Sequence, residues 1–189
     1  MSLSTLLKGY FGSGVNESDY VRIDGSTNSL QVIDYAHHEI HEGSSFVASK
    51  VFTAPVGGKV NIGMITPAGT TNLIHLTFSV ICDAAYTVSF YEADDYEGGT
   101  LVTGYNRNRE VGTPPADLDI THTDTDQGSG TGTELWTFAG GANKTVTTSG
   151  SDRHEFVLEN EQSYLLEVTA SQNDIVTIEL NWYEHTDKH

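Results

Sequence analysis

The feature that most restricts how this chain can fold is a strict alternation of apolar and polar residues. Between Asn72 and Cys82, the apolar side chains Ile74, Leu76, Phe78, Val80 and Cys82 fall at every second position. Successive side chains on an extended strand point to opposite faces, so the stretch has one buried face and one wetter face. Val176, Ile178, Leu180 and Trp182 repeat the pattern, set against Thr177, Glu179 and Asn181. Tyr86, Val88 and Phe90 do so again, as do Tyr164, Leu166, Val168 and Ala170. Helical periodicity is scarce. The best helical segment, Leu3 to Tyr10, is too short to be stable alone.

Weaker extended segments run through Tyr20–Asp24, Ser29–His41, Phe46–Ala54, Lys59–Ile65, Asp117–Thr123, Glu134–Phe138 and His154–Leu158. Turn-forming pairs separate them, among them Asp24-Gly25, Glu42-Gly43, Gly57-Gly58, Gly98-Gly99, Asn160-Glu161 and Asn173-Asp174. The sequence therefore predicts an all-β fold, an antiparallel sandwich or jelly roll of about 8–10 strands. Residues 1–18 break the pattern and read as an extended N-terminal arm, leaving 19–189 as a single domain. Gly104–Ala116 and Asp124–Thr133 read as irregular loops.

Charge narrows the function. The chain carries 26 acidic residues against 9 basic ones, a formal net charge of -17. A phosphate-binding surface needs clustered Lys and Arg, so nucleic acid and anionic membranes are poor partners. Such a charge suits a protein displayed at high density or facing a basic partner. No apolar run is long enough to span a bilayer. The start lacks the charged and apolar regions of a secretion signal. The lone Cys82 lies in an alternating apolar run, which predicts a buried, inert thiol.

Three clusters carry possible chemistry. His37, His38, Glu39 and His41 lie close together, and on a strand His37, Glu39 and His41 would share a face. Imidazole and carboxylate are ordinary zinc ligands, so these three are the metal candidates, with a polar face near an interface as the alternative. Asp124 and Asp126, with Asp117 and Asp119 nearby, form an incomplete calcium-type ligand set or a solvated acidic loop. Arg107 and Arg109 are two apart and, on an extended backbone, point the same way, as a surface pair or a contact to a partner. Nothing resembles a nucleophile elbow or a phosphate-binding loop, so the reading is a non-enzyme that needs no cofactor. Leu6, Leu7, Tyr10 and Phe11 are apolar residues in the arm, placed to dock on a neighbour. With His37, His38, His41, Arg107 and Arg109 they make up the expected interface residues.

Three segments resemble, in order, structural proteins of tailed bacteriophages. The first is Asn28 to Phe46, a Leu-Gln strand followed by a His-rich stretch, Gly and an aromatic. The second is Phe90-Tyr91-Glu92, then Gly98-Gly99-Thr100 and Asn106-Arg107-Asn108-Arg109. The third is Gln162–Thr169 with Val176–Trp182. The resemblance is to head decoration, or cement, proteins with a jelly-roll-like sandwich. It implies a homotrimer on the outer surface of the capsid, bridging neighbouring major capsid proteins. A phage tail or fibre domain, or another carbohydrate-binding sandwich that recognises a host, is the alternative.

Overall fold

A computed structural model of the chain describes residues 35–54, 58–69, 72–92, 98–110, 115–123, 132–142, 144–147, 155–171 and 173–186. The chain divides at His37/His38 into two units. Everything below, apart from the first three residues of one helix, belongs to the second. The expected arm at 1–18, the helical segment at Leu3–Tyr10 and the strand at Tyr20–Asp24 lie outside the described residues.

The architecture is all-β, two antiparallel sheets packed face to face. One helix, α1 (Tyr35–Glu42), precedes β1 (Ser45–Ala54), β2 (Lys59–Ile65), β3 (Asn72–Cys82) and β4 (Tyr86–Glu92). Then come β5 (Thr100–Leu101), β6 (Tyr105–Asn106), β7 (Asp119–Thr123) and β8 (Thr133–Gly140). The last four are β9 (Lys144–Thr147), β10 (Phe156–Leu158), β11 (Ser163–Ala170) and β12 (Asp174–Thr186). The first sheet runs β10-β3-β12-β1-β6, with β9 also on β3. The second runs β5-β7-β2-β11-β4-β8.

Alternation places the core as expected. Ile74, Leu76, Phe78, Val80 and Cys82 from β3 and Val176, Ile178, Leu180 and Trp182 from β12 are all buried. They meet Val88 and Phe90 of β4 and Tyr164, Leu166 and Val168 of β11 across the sandwich. Burial pushes the Cys82 thiol pKa up, which suppresses the reactive thiolate. Two strands depart from the one-wet-face rule. In β11, Leu165 and Glu167 point away from the core yet are 0% and 6% exposed. In β2, Asn61, the register partner of Glu167, is buried as well.

The alternating even-numbered series of β12 continues one step past Trp182 to a carboxylate. Glu184 is buried at the end of the core and accepts four hydrogen bonds. Asp117 N–H lies 3.0 Å from each of its oxygens, Leu118 N–H 3.2 Å from Oε1, and Trp182 Nε1–H 2.9 Å from Oε1. This explains why β7 starts at Asp119 and not at Asp117: the amides of 117 and 118 bind Glu184 instead of a neighbouring strand. The indole of Trp182 stacks on Phe46 at 5.6 Å, and its far edge lies against Gly104. A Cβ on residue 104 would come within 2.8 Å of that ring, so only glycine fits.

Where the sequence suggested a strand through Ser29–His41, residues 35–42 are helical. The Glu42-Gly43 pair is the stop of that helix, not a turn between strands. Gly43 takes φ 80°, Ser44 N–H binds Glu39 C=O at 3.1 Å and Gly43 N–H binds Ile40 C=O at 3.2 Å. This is the paired closure of a helix C-terminus by a left-handed glycine. The stretch Gly104–Ala116 is also not wholly irregular, because Tyr105 and Asn106 pair with Val47 and Phe46. The short strands Thr100–Leu101 and Lys144–Thr147 were not anticipated either; neither is long enough to show a period.

Two predictions follow from this packing. The Tyr86 ring lies over Gly140, its register partner, and its hydroxyl donates to Val80 C=O at 3.3 Å. Gly140→Ala must displace that ring and should cost about 1–3 kcal/mol in a urea titration. Burial raises the Glu184 pKa above 4.5, against the pull of its N–H donors. A raised carboxyl pKa means that the folded state holds the proton more tightly than the unfolded chain. The Glu184 contribution is then largest below the unfolded value and is lost as pH climbs through the folded one. Urea midpoints measured from pH 4 upward should therefore fall less steeply for Glu184→Gln than for the parent.

Candidate functional site

The structure brings two of the sequence-predicted clusters to one corner. The end of α1, the first residues of β1 and the turn after β6 meet at the edge of the first sheet. Asn106 holds them together. It is buried, and its Nδ2–H donates to Gly43 C=O at 2.5 Å, while its Oδ1 accepts Asn108 N–H at 2.8 Å. Asn108 reaches the helix as well, donating from Nδ2 to His41 C=O at 3.1 Å. Arg107 N–H binds Ser45 C=O at 2.9 Å, beside Glu184 N–H on Ser44 C=O at 2.9 Å. His41, at the helix C-terminus, and Asn108 thus share a surface with both arginines.

The two arginines engage different partners at this corner. The side chains of Asn106 and Asn108 each accept the amide two residues on, and these turns bend the backbone out of the extended form. Arg107 donates to the Asn181 side chain on β12. Arg109 sits over the Tyr105 ring, 5.9 Å from its centroid. Each guanidinium is thereby held above the sheet edge, and Tyr105 remains exposed. A fixed Arg–aromatic pair on an exposed corner is suited to recognising a carboxylate or another protein surface.

Of the expected metal set His37, Glu39 and His41, the structure describes the side chains of Glu39 and His41, and the helix parts these two. On a strand these three would share a face, but in a helix residues two apart lie on nearly opposite sides. The His37 side chain lies outside the described residues. Glu39 is 3% exposed and accepts the Ser44 hydroxyl, which leaves it turned inward. The helix groups His38, Glu39 and Glu42, with ligand atoms within 4.8 Å of one another. His38 Nε2 lies 3.4 Å from Glu42 Oε1 on an exposed helix face. Of the calcium-type set, Asp124 and Asp126 lie outside the described residues; Asp117 instead accepts the Asn72 amide at 3.4 Å. Leu6, Leu7, Tyr10 and Phe11 also lie outside the described residues.

A second surface was not singled out from the sequence. Among the described residues β8 ends its sheet, and it carries Leu135 and Phe138 at 40% and 45% exposure. The register shift between Phe90 and Tyr91 leaves Leu135 without an opposite residue on β4, whereas Phe138 stays in register with Val88. Phe138 stacks on Trp136 with centroids 6.0 Å apart and planes 9° from parallel. Trp136 packs edge-on against core residue Phe78 at 5.5 Å, and Phe78 against Phe90 at 5.5 Å. The exposed ring is therefore the outer end of a chain of aromatic contacts rooted in the core. Such an anchor loses little freedom on binding. The one sequence signal was the density of Leu135, Trp136 and Phe138 on a strand otherwise short of apolar partners.

A scan against models of known protein families finds no match, and a search of curated proteins finds no relative. No helix among the described residues is long and apolar enough to cross a membrane.

The corner makes its own prediction. Asn106→Ala strips partners from Gly43 C=O and Asn108 N–H and should cost about 1–3 kcal/mol. Amide hydrogen exchange should accelerate across residues 105–110 while β3 and β12 stay protected.

Proposed function

We propose that this chain is a virion structural protein, a head decoration protein of a tailed phage that binds the outer capsid surface as a homotrimer and carries no catalytic activity. The observation that carries the reading is the edge strand β8, with Leu135 and Phe138 exposed and Phe138 braced by Trp136. Aromatic side chains fixed before binding are what protein interfaces use as anchors. The resemblance of three segments to phage decoration proteins supplies the partner. The charge of -17 is in keeping with a protein that crowds on a surface without clumping. In a trimer each contact occurs three times, so weak individual contacts add through effective concentration. On this reading β8 faces a second copy, and the Arg107–Arg109 corner faces capsid protein.

The test combines native mass with co-sedimentation on undecorated heads. The parent should be a trimer that saturates heads at a fixed ratio to capsid protein. A Leu135→Asp/Phe138→Asp double variant changes only exposed positions, so it should fold, run as a monomer and lose at least tenfold in head binding. A parent that ignores heads but binds tails or host polysaccharide would move the same fold to host recognition, with Tyr105 and Phe138 as the rings to map.

A further inference from the structure

On the outer face of the first sheet, β3 and β12 present three polar rings, beside one carboxylate, that the assembly reading does not use. His75 pairs in register with Tyr183, and His185 lies diagonally across from His75, opposite Leu73. Glu155, just before β10, completes the group. His75 Nδ1 is 2.6 Å from Glu155 Oε1, and the Tyr183 hydroxyl donates to the same oxygen. His185 Nδ1 is 3.1 Å from Thr186 C=O. The two Nε2 atoms face one another at 3.2 Å. The His75 ring stacks on Tyr183 at 4.6 Å and on His185 at 4.7 Å, the latter with planes 29° apart. His75 and Glu155 side chains are only 16% and 18% exposed.

Hydrogen placement in this group is constrained. A carboxylate and a carbonyl only accept, so the Nδ1 facing each must carry the hydrogen. In a neutral ring the other nitrogen, Nε2, then bears a lone pair. The two nitrogens are 3.2 Å apart, close enough for one cation to bridge them once the rings turn. A tetrahedral zinc with Zn–N bonds of about 2.0–2.1 Å separates two ligand nitrogens by about 3.3–3.4 Å. The observed spacing is close to that edge. The Glu155 carboxylate on Nδ1 of a ligating histidine is the outer partner that fixes ring orientation and raises ligand basicity. The rings must still turn inward for their lone pairs to converge, and the imidazole torsion is broad enough to allow it.

We propose that His75 and His185 form a binding site for a divalent ion of the zinc, nickel or copper class, with Glu155 as the positioning residue and solvent completing the coordination. Imidazole nitrogen favours these ions over magnesium or calcium. A bound ion would tie β3 to β12 directly and, through Glu155, the start of β10 to both.

Isothermal titration of the full chain with zinc chloride, in a buffer that does not bind metal, tests the site. The expected result is a site that His75→Ala and His185→Ala each weaken at least tenfold. Glu155→Gln should weaken it about 10–100-fold, and His38→Ala should leave it intact. Long-range ¹H–¹⁵N spectra of the parent imidazoles provide a readout that no variant can confound by misfolding. Zinc should move the Nε2 resonances of His75 and His185 and no other pair. Unmoved resonances, or a His75→Ala/His185→Ala double variant that titrates like the parent, would overturn the proposal.

Discussion

The structure depends on one pairing. Strands β3 and β12 run antiparallel through eleven consecutive residue pairs, from Val176↔Cys82 to Thr186↔Asn72. Because strand side chains alternate, this register fixes two surfaces at once. Inward it stacks Leu180 on Phe78, and Trp182 on Leu76, into the core. Outward it sets His75 against Tyr183 and brings His185 alongside. A slip of β12 by one residue would send Trp182 to solvent and His185 into the core. The core and the outer ring cluster are therefore two faces of a single constraint.

Beyond Trp182 the same strand ends the core with Glu184. A buried carboxylate is costly unless donors surround it. Here the donors are the amides of 117 and 118 and the Trp182 indole, so the charge becomes a hook for the segment that leads into β7. The Asn106 side chain has a similar role at the same end of the first sheet, joining the helix stop to the turn after β6. Polar groups at the margins of the sandwich thus fix the places where its strands begin and the directions in which its loops leave.

Much of the fold was legible because period two is a local property. The strands at 72–82 and 59–65 begin and end where alternation places them. What was not legible depended on partners far away in the chain. The helix at 35–42 was read as extended because its apolar residues are too few to show a period, and its glycine stop looks like a hairpin turn. The wet-face reading of β11 failed at Leu165 and Glu167, since alternation marks only which side a residue takes and not what lies over it. His75 and His185 both stood on the outward side of the two clearest strands, yet nothing local says that residues 110 apart share a register. Glu184 was one step beyond a visible apolar series, and a carboxylate in that position was a signal in plain view.

The position of β12 has a consequence for how the protein is made. This strand lies between β3 and β1 in the middle of its sheet, although it is the last strand of the described chain. On a ribosome the first sheet must wait, with an apolar strand on either side of an empty slot, until residue 186 has emerged. Pairings so distant in sequence are slow to form, and unpaired apolar edges invite aggregation while they wait. The nascent chain is thus most vulnerable just before β12 emerges. Its acidic charge offers a defence in that interval, because mutual repulsion keeps half-built chains apart before any strand can find the wrong neighbour.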